Sequence, residues 1–143
     1  MKKIILLTVA FLSISILLNA QSINAPMNPL NPNEFGEAKE IEMLTKEMKD
    51  KGIQAIKIKV EVKLVKPIVM GCQYIHRVTN LSTDKTVGIE MYAVPDQKVS
   101  EKIKPGKSIE LLSNTMSKCG GKKKIEGCIN CEPSLNITSF EVK

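Results

Sequence analysis

Apolar and charged residues alternate without a break over residues 56–64, IKIKVEVKL. Side chains on a β-strand point alternately to opposite faces, so this spacing places the aliphatic side chains on one face and the charges on the other. Ile and Val are β-branched and favour strands over helices. The pattern therefore predicts a strand that is buried on one face and packs against a second layer.

Four later segments are also predicted to be strands: residues 72–79, 86–94, 108–112 and 135–142. Turn-forming residues separate them, notably residues 80–85 and the Pro105-Gly106 pair. Because no crossover helices lie between these segments, we expect them to pair antiparallel in a β-sandwich. Pro67 has no N–H to donate and is expected to end the ladder of the first strand.

One amphipathic helix is predicted ahead of the strands, beginning at residues 31–34 and ending at Gly52. Asn-Pro-Asn-Glu at residues 31–34 supplies a capping side chain, a proline at the first helical position and a carboxylate near the free N–H groups. The apolar residues that follow recur at spacings of three and four: Phe35, Ala38, Ile41, Leu44 and Met48. This stripe is expected to pack on the sheet, and a partner-binding face is the alternative.

The N-terminus has the order of a secretory signal peptide, residues 1–20. Two lysines precede an apolar run over residues 4–18, and the small residue Ala20 follows. The run is shorter than the ~20 residues that span a bilayer as a helix, which favours cleavage between Ala20 and Gln21 over a membrane anchor. We therefore expect an exported protein, periplasmic or extracellular, with no membrane span after cleavage.

The remainder of the chain divides into two parts. Residues 21–31 are rich in Pro and Asn, a composition that predicts a flexible leader. Residues 32–143 have the length of a single helix-plus-β-sandwich domain. Aromatic residues make up 3% of the chain and Trp is absent, so the core must be aliphatic and few rings are available for stacking on bases. Arg77 is the only arginine, and no nucleic-acid binding is expected.

Residues 77–111 resemble small immunoglobulin-like domains of bacterial exported proteins. The resemblance rests on Arg-Val-Thr-Asn at residues 77–80, Val-Gly-Ile-Glu-Met at 87–91 and the Pro-Gly turn within residues 103–111. In such domains a valine-rich hairpin is followed by a Pro-Gly turn into the next strand. The resemblance implies an immunoglobulin-like sandwich, although the Cys…Trp…Cys hallmark is missing, and it assigns no functional residues.

Four cysteines are the most informative side chains: Cys72, Cys119, Cys128 and Cys131. An even number in an exported chain favours two disulfides. Three of the four lie in the Gly-rich segment 118–133, so one bridge is expected to tie that segment to the strand that begins near Cys72. Such a bridge would close a long loop and restrict the unfolded chain.

Two alternatives give this cysteine segment, residues 119–131, a chemical role. A zinc ion could take Cys119, Cys128 and Cys131, with Cys72 or His76 as the fourth ligand, although one C-x2-C pair is only half of the usual signature. Thiol–disulfide exchange could use the C-x2-C pair itself, but the expected helix N-terminus is not predicted there. His76 is the only histidine and, in such a strand, is expected to be packed rather than catalytic.

The preferred interpretation is an exported, non-enzymatic binding or accessory module whose partner is a protein or envelope component. No catalytic, cofactor-binding or metal site is predicted, because the chain has no nucleophile elbow, phosphate-binding loop or paired-carboxylate motif. The only run of three lysines is the predicted partner-binding site: Lys122, Lys123 and Lys124. A small periplasmic zinc-binding or thiol-redox protein is the alternative.

Overall fold

A computed structural model describes residues 16–44, 46–94, 97–116, 124–130 and 133–142. Eight strands and two short helices lie within them: β1 (Ile16–Asn24), β2 (Lys39–Met43), α1 (Lys46–Asp50), β3 (Ile56–Ile68), β4 (Gly71–Asn80), β5 (Val87–Val94), β6 (Gln97–Ile103), β7 (Ser108–Met116), α2 (Lys124–Asn130) and β8 (Ser134–Val142). Among these described residues, no helix is long and apolar enough to cross a membrane.

The strands form two four-stranded sheets, in the orders β1-β8-β5-β6 and β2-β3-β4-β7, and every pairing is antiparallel. Buried side chains of both sheets meet in one aliphatic core. The prediction of a mainly β, antiparallel sandwich is therefore confirmed. All five predicted strands are present, as β3, β4, β5, β7 and β8.

The strand that alternates most regularly, β3, also runs further than expected. Its apolar residues from Ile56 to Leu64 are buried, as the alternation predicts. The expected stop at Pro67 is wrong, because β3 continues to Ile68 and Pro67 pairs with Cys72. On its other side, β3 pairs with β2 only as far as Val60. Pro67 thus lies where β3 has one strand neighbour, a position at which a missing N–H is tolerated.

The predicted helix over residues 31–51 is wrong for most of its length. Residues 39–43 form β2, in which Ile41 and Met43 are buried and the alternating residues Glu40 and Glu42 are exposed. This alternation suits a strand, and β3 provides the partner: Glu42 pairs with Lys57, with their charged groups 3.1 Å apart. Ladder hydrogen bonds and burial against a sheet outweigh the weak helical preference of a short segment.

Phe35, the first residue of the predicted helical stripe, lies beside β3 instead. The chain follows the edge of β3 here, because the Leu64 N–H donates to the Pro32 carbonyl at 2.8 Å and the Gly36 N–H donates to the Val62 carbonyl at 3.0 Å. The Phe35 ring is half-buried and stacks against the Arg77 guanidinium, 3.7 Å from the ring centroid. The only arginine is thus engaged with an aromatic ring.

The predicted stop at Gly52 is confirmed, although the helix that it ends, α1, is short. Gly52 has φ of 68°, a conformation that glycine adopts without strain. The Gly52 N–H donates to the Lys49 carbonyl at 3.0 Å, and the Ile53 N–H donates to the Met48 carbonyl at 2.8 Å. This pair of bonds is a Schellman motif; Met48 belongs to the hydrophobic core and Ile53 packs against that core.

Residues 21–31 differ from the predicted flexible leader because three of their apolar side chains enter the core. Ile23 and Ala25 are each 1% exposed and Met27 is 9% exposed. β1 reaches Asn24 and pairs with β8, which brings these residues to the sandwich. Of the predicted signal peptide, residues 1–15 lie outside the described residues, and residues 16–20 belong to β1.

The impure alternation of β8 has a structural cause at Thr138. Consecutive β5 residues, Glu90 and Met91, pair with Ser139 and Ile137, so Thr138 is an extra residue in the ladder. Such a β-bulge reverses the phase of the side chains that follow it. Leu135 and Ile137 are buried before the bulge, and Phe140 is buried after it.

Candidate functional site: the segment anchored on β4

Three inward-facing side chains of β4, at alternate positions, hold the cysteine-containing segment against the sandwich. Cys72, Tyr74 and His76 are all buried. Each of them contacts a residue of the stretch from Cys128 to Pro133. The alternate positions of β4 therefore supply three anchors, two at Cys128 and one at Pro133.

The first anchor is a disulfide between Cys72 and Cys128, with 5.7 Å between their Cα atoms. The bridge joins residues 56 positions apart. The predicted tie between the Gly-rich segment and the strand is confirmed by this pair. Cys119 and Cys131 lie outside the described residues, so the second predicted disulfide stays a prediction.

The second anchor is a hydrogen bond that the Tyr74 hydroxyl donates to the Cys128 carbonyl at 2.7 Å. It satisfies a main-chain acceptor at the same residue that forms the disulfide. A buried carbonyl without a partner is costly, so Tyr74 stabilises the position of α2 as well as filling the core.

The third anchor is His76, which is 0% exposed. Its Nε2 lies 3.4 Å from the Pro133 carbonyl and its Nδ1 lies 3.0 Å from the Ser113 hydroxyl. Because a carbonyl can only accept, Nε2 carries the proton, and Nδ1 accepts a hydrogen bond from Ser113. Burial lowers the pKa of His76, and the hydrogen bond to Pro133 opposes that effect in part. The imidazole is thus a neutral packed group with two partners.

Part of the Gly-rich segment, residues 118–133, forms helix α2, residues Lys124–Asn130. Gly127 and Cys128 are buried, whereas Ile125 is 56% exposed and Glu126 is also exposed. Of the predicted partner-binding lysines, Lys122 and Lys123 lie outside the described residues and Lys124 is the first residue of α2. The three lysines, residues 122–124, are therefore continuous in sequence with α2.

The disulfide bears on both chemical alternatives. Cys128, one of the three thiols that the zinc alternative needs, is bonded to Cys72, one of its two candidate fourth ligands. The C-x2-C alternative needs Cys128 to pair with Cys131, and Cys128 instead pairs with Cys72. Within the part of the chain that the structure describes, no three His, Cys, Asp or Glu side chains are arranged to hold a metal ion.

A groove of about 590 Å³ lies at the other end of β4, between residues 52–57 and residues 81–85. Ile53, Ala55 and Leu81 are its apolar lining residues, and Lys57 and Lys85 are its basic ones. The sequence analysis did not identify this groove, because its two walls are distant in sequence and come together only when β3 pairs with β4.

Asn80 fixes one wall of this groove and was also missed as a site residue. It is 0% exposed, and its amide donates to the carbonyls of Lys85 at 2.7 Å and Ile103 at 2.9 Å. Its side-chain oxygen accepts from the Ser82 N–H at 2.9 Å. One buried amide thus joins the end of β4, the turn at residues 81–85 and β6. A turn-forming Asn next to a strand was the only signal in the sequence.

Comparisons of this chain with protein-family models, characterised proteins and solved structures return no match. The immunoglobulin-like resemblance of residues 77–111 accordingly stays a prediction. The fold and the anchored segment are therefore the basis on which a function is proposed.

Proposed function

We propose that this chain is an exported, non-enzymatic binding or accessory module of the periplasm or the extracellular space, stabilised by disulfides. The observation that carries the proposal is the Cys72–Cys128 bridge, which joins α2 to β4. Disulfides form and persist in oxidising compartments and are rare in the cytosol. A structural disulfide in a small β-sandwich is therefore typical of an exported domain.

The pairing of β1 supports cleavage after Ala20. The ladder between β1 and β8 is regular from Gln21 to Asn24, which pair with residues 137–134 in order. Cleavage before Gln21 would leave this part of the ladder intact, together with the buried residues Ile23 and Ala25. The proposed mature chain thus begins where its regular pairing begins.

The anchored segment supports recognition of a partner with an acidic surface. Lys122 and Lys123 precede α2 in the sequence and Lys124 is its first residue, and α2 is held at Cys128 by both a disulfide and a hydrogen bond. Side chains on a segment that is already ordered lose less conformational freedom when they bind. The lysines at the start of α2 would attract an acidic protein or envelope component most strongly at low salt. The neutral, buried His76 is consistent with a role that involves no catalysis.

The test is expression of the full chain in a bacterium, followed by fractionation and analysis of the exported protein. N-terminal sequencing is expected to begin at Gln21. The intact mass before reduction is expected to be lower by four hydrogens than after reduction, as two disulfides require. An intact Met1 in the membrane fraction would contradict export. Four free thiols with one bound zinc would favour the zinc-binding alternative over the disulfide-stabilised module.

A further inference from the structure

The turn between β3 and β4 carries two apolar side chains in solvent. Val69 is 91% exposed and Met70 is 60% exposed, and they connect Ile68 to Gly71, which pair with each other. Two-residue turns usually contain Gly, Asn or Asp, because these residues adopt the backbone conformations that the turn needs. Val and Met at this turn are therefore explained neither by turn chemistry nor by packing in the core.

Leu30 adds a third exposed apolar side chain near the same turn and is 95% exposed. The chain that follows Leu30 is hydrogen-bonded to β3 first at Leu64 and then at Val62, so the two run antiparallel. Leu30 thus lies on the side of the β3–β4 turn. The Asn28 side-chain oxygen accepts hydrogen bonds from the N–H groups of Leu30 and Asn31, at 3.0 and 3.1 Å. An ordered turn therefore holds Leu30 in solvent.

Helix α2 contributes a fourth such side chain, Ile125, which is 56% exposed. Cys72 pairs with Pro67 near the end of the β3–β4 hairpin, and its disulfide to Cys128 places α2 beside that end. Ile125 precedes Cys128 by less than one helical turn. We call these four exposed residues the apolar end of the sandwich: Leu30, Val69, Met70 and Ile125.

Basic residues adjoin the apolar end. Lys66 is exposed near the end of β3. The sequence between Met116 and Ile125 contains four lysines and no acidic residue. It begins at this end of the sandwich, because Met116 pairs with Gly71. Glu126 is exposed and contributes one opposing charge. Lysines therefore predominate over this carboxylate, and the apolar end is suited to an anionic surface.

We propose that the apolar end docks on the surface of an anionic lipid bilayer, with Val69 and Met70 in the region between headgroups and acyl chains. The inference rests on the proposed function and specifies its envelope component. Apolar side chains are stabilised in this region of a bilayer, and lysines near the surface are attracted to anionic headgroups. An exposed apolar patch next to basic residues combines both contributions.

A protein partner is less suited to this surface. The four apolar side chains come from three separate segments, two turns and a helix. A standard protein interface uses about 20–30 residues on each side and requires a complementary shape. A bilayer requires no such shape, because lipids rearrange around each side chain that enters.

The experiment places a fluorescent reporter at the turn of the exported protein. The chain contains no tryptophan, so Val69→Trp introduces a single one. The probe is a vesicle of phosphatidylethanolamine and phosphatidylglycerol in a three-to-one ratio, at low ionic strength. We expect the emission to shift to shorter wavelength and to be quenched by lipids brominated on their acyl chains. Leu81→Trp, at the far end of β4, is the matched control and should show neither effect.

Vesicle sedimentation measures the affinity. Binding should be at least tenfold weaker when phosphatidylcholine replaces phosphatidylglycerol, since the lysines then lose their anionic partners. Val69→Ser/Met70→Ser should also weaken binding at least tenfold while leaving urea unfolding unchanged. Leu112→Ser, at a 53% exposed position on β7, is the control and should bind as the wild type does. Equal binding of the double variant and the wild type, or binding without a shift in the Val69→Trp emission, would overturn the docking site.

The outcomes separate the inference from the proposed function. An exported protein that begins at Gln21 but does not bind the vesicles overturns only the lipid surface. A protein that keeps Met1 overturns the proposed export, and the comparison with Val69→Ser/Met70→Ser still decides the docking site. Association with the envelope fraction that is abolished by protease treatment of that fraction, without vesicle binding, would identify a protein partner and overturn the lipid surface.

Discussion

The Tyr74 hydroxyl donates a hydrogen bond to the main-chain carbonyl of Cys128 at 2.7 Å, across 54 positions of sequence. The same two elements are joined two residues earlier on β4 by the Cys72–Cys128 disulfide. Helix α2 is thus fixed to the sandwich at one residue by both a covalent and a polar contact. The stability of the fold and the position of the proposed binding segment should therefore depend on the same few side chains.

Tyr74→Phe should destabilise the protein by about 1–2 kcal/mol, because it leaves the Cys128 carbonyl without this donor while preserving the ring. Urea unfolding measures the change. Tyr92→Phe, at a half-buried position on β5, is the matched control and should change stability by less than about 0.5 kcal/mol. Equal effects of the two variants would show that the Tyr74 hydroxyl contributes nothing to holding α2.

Loss of the Cys72–Cys128 bridge should have a larger effect. The chain-entropy model assigns about 4 kcal/mol to a loop of this length, since the bridge restricts the unfolded chain. The double variant Cys72→Ser/Cys128→Ser is expected to lose this amount of unfolding free energy, as measured by urea unfolding.

The pairing of the other two cysteines is tested in the wild-type protein. Peptide mapping without reduction should recover Cys119 linked to Cys131. A Cys119–Cys128 or Cys128–Cys131 peptide would contradict the assigned pairing.

Stability should fall in mildly acidic solution because of His76. Burial lowers its pKa in the folded protein below the ordinary value of 6.5, so the unfolded chain binds the proton more readily. The contribution of the neutral imidazole is present above pH 6.5 and is lost as the pH falls from 6.5 towards the folded-state pKa. Unfolding free energies at pH 7.5, 6.5 and 5.5 measure the slope. His76→Gln should reduce this slope, and an unchanged slope would exclude His76 as its source.

Asn80→Ala should cost about 3 kcal/mol, because it removes three hydrogen bonds of a buried side chain and takes this partner from the buried Ile103 carbonyl and from two part-buried main-chain groups. Thr79→Ala is the neighbouring control. It removes only the exposed contact with the Ser108 hydroxyl and should cost less than about 1 kcal/mol. Thermal unfolding compares the two. Similar losses would mean that the Asn80 amide does not join the turn at residues 81–85 to β6.

The proposed partner site is tested by replacing Lys122, Lys123 and Lys124 together with serine. The run is predicted from the sequence to be solvated, so the triple variant should unfold within about 0.5 kcal/mol of the wild type. Its association with the envelope fraction at low ionic strength should be weaker, since three positive charges are lost. Lys102→Ser/Lys104→Ser/Lys107→Ser, at exposed positions on and after β6, is the charge-matched control. Equal association of the triple variants and the wild type would exclude the basic run as the contact.

Several elements followed from the sequence alone because one local signal was sufficient for each. The alternation of residues 56–64 specified the buried face of β3, and the mixture of turn-forming residues marked residues 80–85 as a turn. Gly52 and the Pro105-Gly106 pair specified positions at which the chain changes direction. The Gly106 φ of 67° and the bond from the Lys107 N–H to the Lys104 carbonyl at 3.0 Å agree with the predicted turn.

The tertiary structure decided what local patterns left open. Residues 39–43 fit both a helical stripe and a short alternating strand, and the free edge of β3 at Ile56–Val60 selected the strand. The phase change of β8 depends on one extra residue at Thr138, opposite β5. The partners of Cys72 and Asn80 lie 56 and up to 23 positions away, so only strand pairing brings them together. Periodicity reports which face of a segment is buried, whereas the neighbour that buries it is selected by the free energy of the whole sandwich.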